Sequence, residues 1–140
     1  MNLAKSLCQS CDVYFYELAL KTGIDRINKM ATKLGLGIKH DVPMSAITKG
    51  LVPSKDWKLK NREQEWLVGD TVNASIGQGY VLSSPLQLAV MAARLASGRN
   101  VKPILTKSIN GQNIHNLKNI EDLDIDKSHL KIVRKALFPS

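Results

Sequence analysis

Ser84-Pro85-Leu86-Gln87 constrains the fold of this chain more than any other four residues. Ser is a preferred N-cap and Pro belongs at the first helical position. Gln three residues after the cap can return a hydrogen bond to the cap's own backbone. Leu86, Ala89, Val90, Ala93 and Ala96 then share one stripe, and Gly98 ends it. The pattern predicts a helix with one apolar face, which must be covered by something.

The N-terminal third reads the same way. Leu3 and Leu7 lie one turn apart, so Asn2 to Cys8 predicts the end of a helix. Asp12 is the expected N-cap of a second helix to Lys21, with Tyr14, Phe15, Leu18 and Ala19 as its apolar faces. Thr22 and Asp25 resemble a capping box for a third, carried by Ile24, Ile27, Ala31 and Leu34 and stopped by Gly35 and Gly37. Residues Ile38 to Thr71 break the rhythm: Pro43, Gly50, Pro53 and Gly69 interrupt every apolar pattern. A loop that long is expected to lean on something, with Trp57 and Trp66 as its pins. Asn110-Gly111 predicts a hairpin between Val101–Ile109 and Gln112–Leu117. Ser128 is the expected cap of a last helix carrying Leu130, Val133, Arg134 and Leu137, closed by Pro139. The expected class is mainly α with a small β-hairpin.

Composition narrows the function classes. With 44% hydrophobic residues over 140 positions the chain is not a disordered tail, and one domain is the natural count. There is no run of about 18 apolar residues and no signal-peptide core near Met1. Lys and Arg number 20 against 12 Asp and Glu, a net charge of +8. The lysines are spread along the chain, and the densest stretch, Lys55 to Arg62, belongs to no nucleic-acid module. A solvated basic surface is the expectation, with no nucleic-acid partner.

Two short motifs invite over-reading. Cys8-Gln9-Ser10-Cys11 has C-x-x-C spacing, but no second pair and no strand–helix redox context accompany it. Lys21-Thr22-Gly23 matches one signature of serine transpeptidases, which in those enzymes lies on a strand. Here it falls between two predicted helices, where capping and turning explain Thr22 and Gly23.

Ser10-Cys11-Asp12 stands in richer company. The stretch from Gln9 through Tyr14-Phe15-Tyr16 to Glu17 is followed by Gly23-Ile24-Asp25-Arg26 and Trp66. Then come Gly69-Asp70-Thr71 and the run from Ala74-Ser75-Ile76-Gly77-Gln78-Gly79-Tyr80 to Ser84-Pro85-Leu86-Gln87. In order and spacing these segments resemble class B penicillin-binding proteins, in their elongation-type branch, penicillin-binding protein 2. The resemblance implies a helical subdomain of an α/β penicillin-binding transpeptidase fold. It also implies peptidoglycan D,D-transpeptidase chemistry through a serine acyl-enzyme, with stem peptides and β-lactams as ligands of the intact parent. Ser10 would pass a proton between the nucleophile's lysine and the amine. Asp12, in a place where Asn is usual, would hold substrate near the cleft. A hydroxyl suits the first role because it donates and accepts at once.

The same resemblance marks what is missing. No S-x-x-K precedes Ser10, and no K-T-G or K-S-G strand follows the last predicted helix. The expectation is a middle segment, residues 1–140, of a transpeptidase domain whose nucleophile-bearing and K-T-G-bearing flanks lie elsewhere. Such a segment is not expected to be active alone. The parent would be anchored in the inner membrane with a periplasmic domain. Some members of this branch bind zinc through the Cys in the middle of this motif, the position of Cys11. His40, His115 and His129 match none of the other ligands, so only an incomplete site is expected here and no cofactor. The alternative to a transpeptidase segment is an interaction piece without enzyme activity, pairing with itself or with a complementary fragment. Its helices would then expose apolar stripes such as Leu86, Val90 and Ala93.

Overall fold

Seven helices and one short hairpin follow each other along the chain, in a computed structural model that describes residues 2–115 and 119–137. Asn2 starts the first, α1 (Leu3–Cys8), by accepting a 2.9 Å hydrogen bond from the Lys5 amide on its side chain. The second helix, α2, runs Asp12–Thr22, and the third, α3, Ile24–Lys33. They are separated by Gly23 alone, at φ 83°, a left-handed conformation that glycine adopts without a steric penalty.

That one-residue turn overturns the expected capping box. Thr22 stays helical and donates its hydroxyl back to Leu18 O at 2.8 Å. The Asp25 carboxylate accepts from the Lys55 amide at 3.2 Å rather than from its own helix. Asp12 is likewise not a cap. It is the first residue of α2, and Cys11 holds the cap position without a side-chain hydrogen bond.

The segment Ile38 to Thr71 is more regular than its glycines and prolines suggest. It holds a whole helix, α4 (Lys55–Arg62), and the start of α5 (Val68–Ser75). Ser54 caps α4 by accepting from the Trp57 amide at 3.1 Å. The rest of the segment is tied to α6 (Pro85–Ser97) through one buried side chain. Gln87 Oε1 accepts from the Ser84 amide at 3.1 Å, which completes the expected capping box. Its Nε2 donates to Ile38 O and to Lys49 O, both at 2.8 Å. Gly50, at φ 58°, lies so close to the Leu82 carbonyl and to Gln87 that a Cβ there has no room. A bridge between Leu51 and Leu82 continues this seam.

The hairpin is real but short: β1 (Ser108–Ile109) pairs antiparallel with β2 (Gln112–Asn113) around Asn110-Gly111. The expected strand over Val101–Lys107 is irregular chain, and Leu117 lies outside the described residues. The last helix, α7 (Lys127–Leu137), is begun by Asp126, not Ser128. The Asp126 carboxylate accepts from the Ser128 amide at 2.7 Å. Pro139 lies outside the described residues.

Helix α1 packs on α7, α2 packs on α5 and α3, and α7 also meets α6. The buried apolar side chains include Ala19, Ile24, Val90, Leu123, Leu130 and Ala136. The stripe of α6 is therefore only partly exposed. Val90 is buried against Gly35, Leu86 is half-buried and Ala93 is exposed. The uncovered large apolar side chains lie elsewhere and include Val13, Leu67, Val68 and Leu82, each more than 60% exposed. The chain presents 10007 Å² of accessible surface. A monomeric protein of this 15.5 kDa mass typically presents about 7,200 Å².

Candidate functional site

The turn from α1 into α2 presents Ser10, Cys11 and Asp12. The Cys11 amide donates to Ser6 O at 2.9 Å and the Ser10 amide to Leu7 O at 3.3 Å. These two bonds are the paired closure of a Schellman turn, whose left-handed position usually holds Gly. Here it holds Ser10, at φ 49°. A non-glycine residue in that conformation costs of order 1–3 kcal/mol. The turn places Ser10 and Asp12 on the exposed surface with Cys11 half-buried between them. Among the described residues no hydrogen bond engages the Ser10 hydroxyl, so it is free to donate and accept. Asp12 stands in the first turn of α2, where the helix macrodipole favours a carboxylate.

Helix α2 is held in place by the packing of α5 along it, while Tyr14 and Phe15, neighbours on α2, meet edge to face at 5.4 Å. A cluster that sequence reasoning missed fixes α5. Lys58, 2% exposed on α4, pairs with Asp70 of α5 at 2.5 Å. Its ammonium lies 6.0 Å from the Trp66 ring centre and 5.7 Å from that of Tyr80. Trp57 packs on Tyr80 at 5.3 Å, and the Trp66 indole donates to Thr71 Oγ1 at 2.8 Å. Both tryptophans thus act as the expected pins. The basic run Lys55 to Arg62 is not merely a solvated face, and Ser54 three residues before Trp57 was the available sign of a helix there.

Burial alone would raise the Asp70 carboxyl. The Lys58 hydrogen bond, the Leu67 amide and the Lys58 charge outweigh it and hold the carboxyl below its ordinary range.

Lys21-Thr22-Gly23 sits at the α2–α3 junction, off any strand, as its spacing predicts. It lies at the far end of α2 from Asp12, about 15 Å away at 1.5 Å per residue. Cys8 is exposed and unpaired, as is half-buried Cys11. Among the described residues no three His, Cys, Asp or Glu side chains gather to hold a metal ion, so Cys11 has no partners there for a four-coordinate zinc site. His40 is buried and its Nε2 lies 2.9 Å from Gly35 O, a structural tie inside the fold.

A surface serine and aspartate thus lie on a tight turn before a helix that packs against a second helix, itself fixed by an aromatic layer. Comparison with known proteins supplies the class. The family model of the penicillin-binding protein transpeptidase domain matches residues 1–139, and the chain belongs to that family.

Among its relatives is the peptidoglycan D,D-transpeptidase MrdA of Acinetobacter baumannii, 37% identical over 123 residues. The MrdA protein of Escherichia coli is 35% identical over 89 residues. The match covers 87% of this chain but 18% of the Acinetobacter protein, and 64% of this chain but 14% of the Escherichia protein. The crystal structure of Pseudomonas aeruginosa PBP2 in complex with WCK 5153 superposes with a TM-score of 0.88 at 37% identity. It covers 98% of this chain and 30% of that one. Helicobacter pylori PBP2, in its complex with MreC, gives a TM-score of 0.83 at 32% identity, over 97% of this chain and 25% of that one. The chain thus spans under a third of the proteins it matches, and its fold is that of their transpeptidase domain. No helix among the described residues is long and apolar enough to cross a membrane.

Proposed function

We propose that this chain is the middle segment of a peptidoglycan D,D-transpeptidase and supplies the second active-site motif of an enzyme completed by its flanks. The observation that carries the reading is Ser10 held at φ 49°, its exposed hydroxyl without a hydrogen bond among the described residues, beside Asp12, in a chain that matches the family over residues 1–139. In the intact parent the nucleophilic serine of an S-x-x-K motif attacks the D-Ala-D-Ala carbonyl of a stem peptide. The bond to the terminal D-alanine breaks, leaving a serine ester. An amine of a second stem peptide then attacks that ester, forming the cross-link and freeing the serine. Ser10 relays the proton between the lysine of S-x-x-K and the departing or arriving amine. Asp12 holds the peptide at the mouth of the cleft. A β-lactam acylates the same nucleophile. Cys11 offers a zinc ion one thiolate, and a zinc site on it requires residues of a longer parent.

The parent acts at the outer face of the inner membrane, anchored there, and its partners include the assembly proteins that the solved relatives bind. Alone, this chain has no nucleophile and forms no acyl-enzyme. The test is direct. Intact mass is measured after incubation with a fluorescent penicillin, first for the chain alone and then with the two flanking segments added. No adduct alone, and an adduct on the S-x-x-K serine after mixing, is the expected result. A stoichiometric adduct on Ser10 would overturn the proton-relay role.

One observation favours a second reading, an interaction piece without activity of its own. The chain exposes about 2,800 Å² more than a monomer of its mass typically does. Val13, Leu67, Val68 and Leu82 are apolar anchors within that surface. Light scattering across a dilution series separates the two. Self-association that persists when the flanks are added favours the second reading, and replacement of self-association by the flanks favours the first.

A further inference from the structure

Arg94 is 5% exposed on α6, and among the described residues no carboxylate comes within salt-bridge distance of it. Its Nε donates to Val101 O at 3.1 Å. Its Nη1 donates to Lys33 O, the last residue of α3, at 2.8 Å. Those bonds give the guanidinium a structural duty, since a cation at a helix C-terminus offsets the macrodipole. They leave Nη2 without a hydrogen bond to any described residue. Arg94 lines a cavity of about 400 Å³. Thr32, Lys33, Asn100, Lys102 and Asp122 share its wall with Arg94. Lys33 is already engaged with Asp124, its Nζ 3.0 Å from the backbone oxygen and 3.5 Å from the carboxylate. Three cations, of which Lys33 is already paired with Asp124, thus share this wall with one carboxylate, Asp122.

We propose that this cavity binds a small oxyanion, a phosphate or a carboxylate, on Arg94 Nη2 with Lys102 closing over it and the Asn100 and Thr32 side chains completing the contacts. The chemistry fits the donors. Arg presents paired N–H groups in a plane that matches two oxygens of one anion. A guanidinium removed from water gains more from an anion than an exposed one does, because the local field is screened less. Burial lowers the Arg94 pKa, in keeping with a charge that has lost water and has no counter-ion among the described residues. The cavity lies among α3, α6 and the chain after Gly98, apart from Ser10 and Asp12. The inference therefore stands or falls independently of the transpeptidase reading.

The test is a titration of ¹⁵N-labelled chain with inorganic phosphate and, separately, with acetate, each against sodium chloride of equal ionic strength. Saturable amide shifts at Thr32, Asn100 and Lys102 with either anion, absent with chloride, are expected. Lys102→Ala, at an exposed side chain that the fold does not need, should weaken the binding about tenfold, the usual effect of losing one charge-assisted contact. Arg94→Met should abolish it; should that variant fail to fold, Lys102→Ala decides the matter. Shifts that chloride reproduces, that do not saturate, or that survive Lys102→Ala unchanged would overturn the proposal and leave Arg94 as a helix tie alone.

Discussion

Replacing Ser10 by Gly should make this chain more stable and, on the proposed proton relay, slow acylation in an enzyme that contains it. Ser10 occupies the left-handed position of the turn at φ 49°. An L-residue there costs about 1–2 kcal/mol relative to right-handed backbone, and Gly does not incur that cost. Gly returns part of the gain through the larger entropy of its unfolded state, about 0.4–1 kcal/mol. The hydroxyl makes no hydrogen bond among the described residues that would be lost. The net expected gain is about 0.5–1 kcal/mol. With an unfolding entropy near 2.1 cal/mol/K per residue, this raises Tm by about 2–3 °C in a chain of this length. Thermal unfolding followed by circular dichroism reads it. Gln9→Gly is the control. Gln9 has φ −100° in ordinary backbone space, so Gly there brings only entropy loss and should lower Tm. In a transpeptidase reassembled with its flanks, Ser10→Gly should slow penicillin acylation by about 10²–10⁴-fold, the usual contribution of a positioned proton-transfer group. A Tm that falls or stays level on Ser10→Gly, while Gln9→Gly falls as expected, would refute the strain argument. Undiminished acylation would refute the relay.

Three further outcomes follow from the same structure. Asp70→Asn breaks a nearly buried pair and leaves Lys58 charged in a 2% exposed position, so it should cost about 3–5 kcal/mol, measurable by urea unfolding. Because the folded Asp70 carboxyl lies below its ordinary 3.8, its contribution is complete above that pH and fades as pH falls through the folded value. Asp126, held low chiefly by the Ser128 hydroxyl, fades in the same direction, so Asp70→Asn should reduce but not abolish the acid loss of stability. Gln87→Leu leaves Ile38 O and Lys49 O without their donor and should cost about 2–4 kcal/mol; a loss under about 1 kcal/mol would show that water replaces the amide. Cys11→Ser supplies the missing N-cap oxygen of α2 and should add about 0.5–1 kcal/mol, read as a rise in Tm of the isolated chain.

The helices were legible where a local rule and an apolar stripe agreed. α6 has both a capping box and a stripe, and its start and end fell where the residues put them. α3 was legible from Ile24, Ile27 and Ala31 alone, although its capping was misassigned. α4 was hidden because its eight residues, Lys55–Arg62, have almost no apolar stripe. What holds it is tertiary: a buried Lys58 whose charge is neutralised by Asp70, twelve residues away, and two aromatic rings. No periodicity reports such a contact. The hairpin turn was legible from Asn110-Gly111, but strand length depends on what covers the strands. Val101 instead takes a side-chain bond from Arg94, which draws the chain toward α6 and out of a ladder.

The candidate site was legible by its motif and illegible by its geometry, and the two facts have one cause. Judged only as local structure, Gly would serve better at position 10 and Ser or Asp better at position 11. The chain has Ser10 in a left-handed turn and Cys11 at an uncapped helix start. Elsewhere the chain satisfies such rules at several helix ends, although Glu63 ends α4 at φ 52° and Asp124 stands at φ 54°. Gly23 and Gly98 hold the left-handed positions where α2 and α6 end, and Ser54 and Ser84 hold caps with their expected hydrogen bonds. What sets Ser10 and Cys11 apart is that their two departures are adjacent, the pattern expected of the proposed site if the rest of the structure stabilises it. The stabilising contacts can be named: the bonds that the Cys11 and Ser10 amides donate to Ser6 O and Leu7 O to close the turn, and the packing of α5 along α2. Weakening that packing should therefore move the Ser10 turn before it melts any helix.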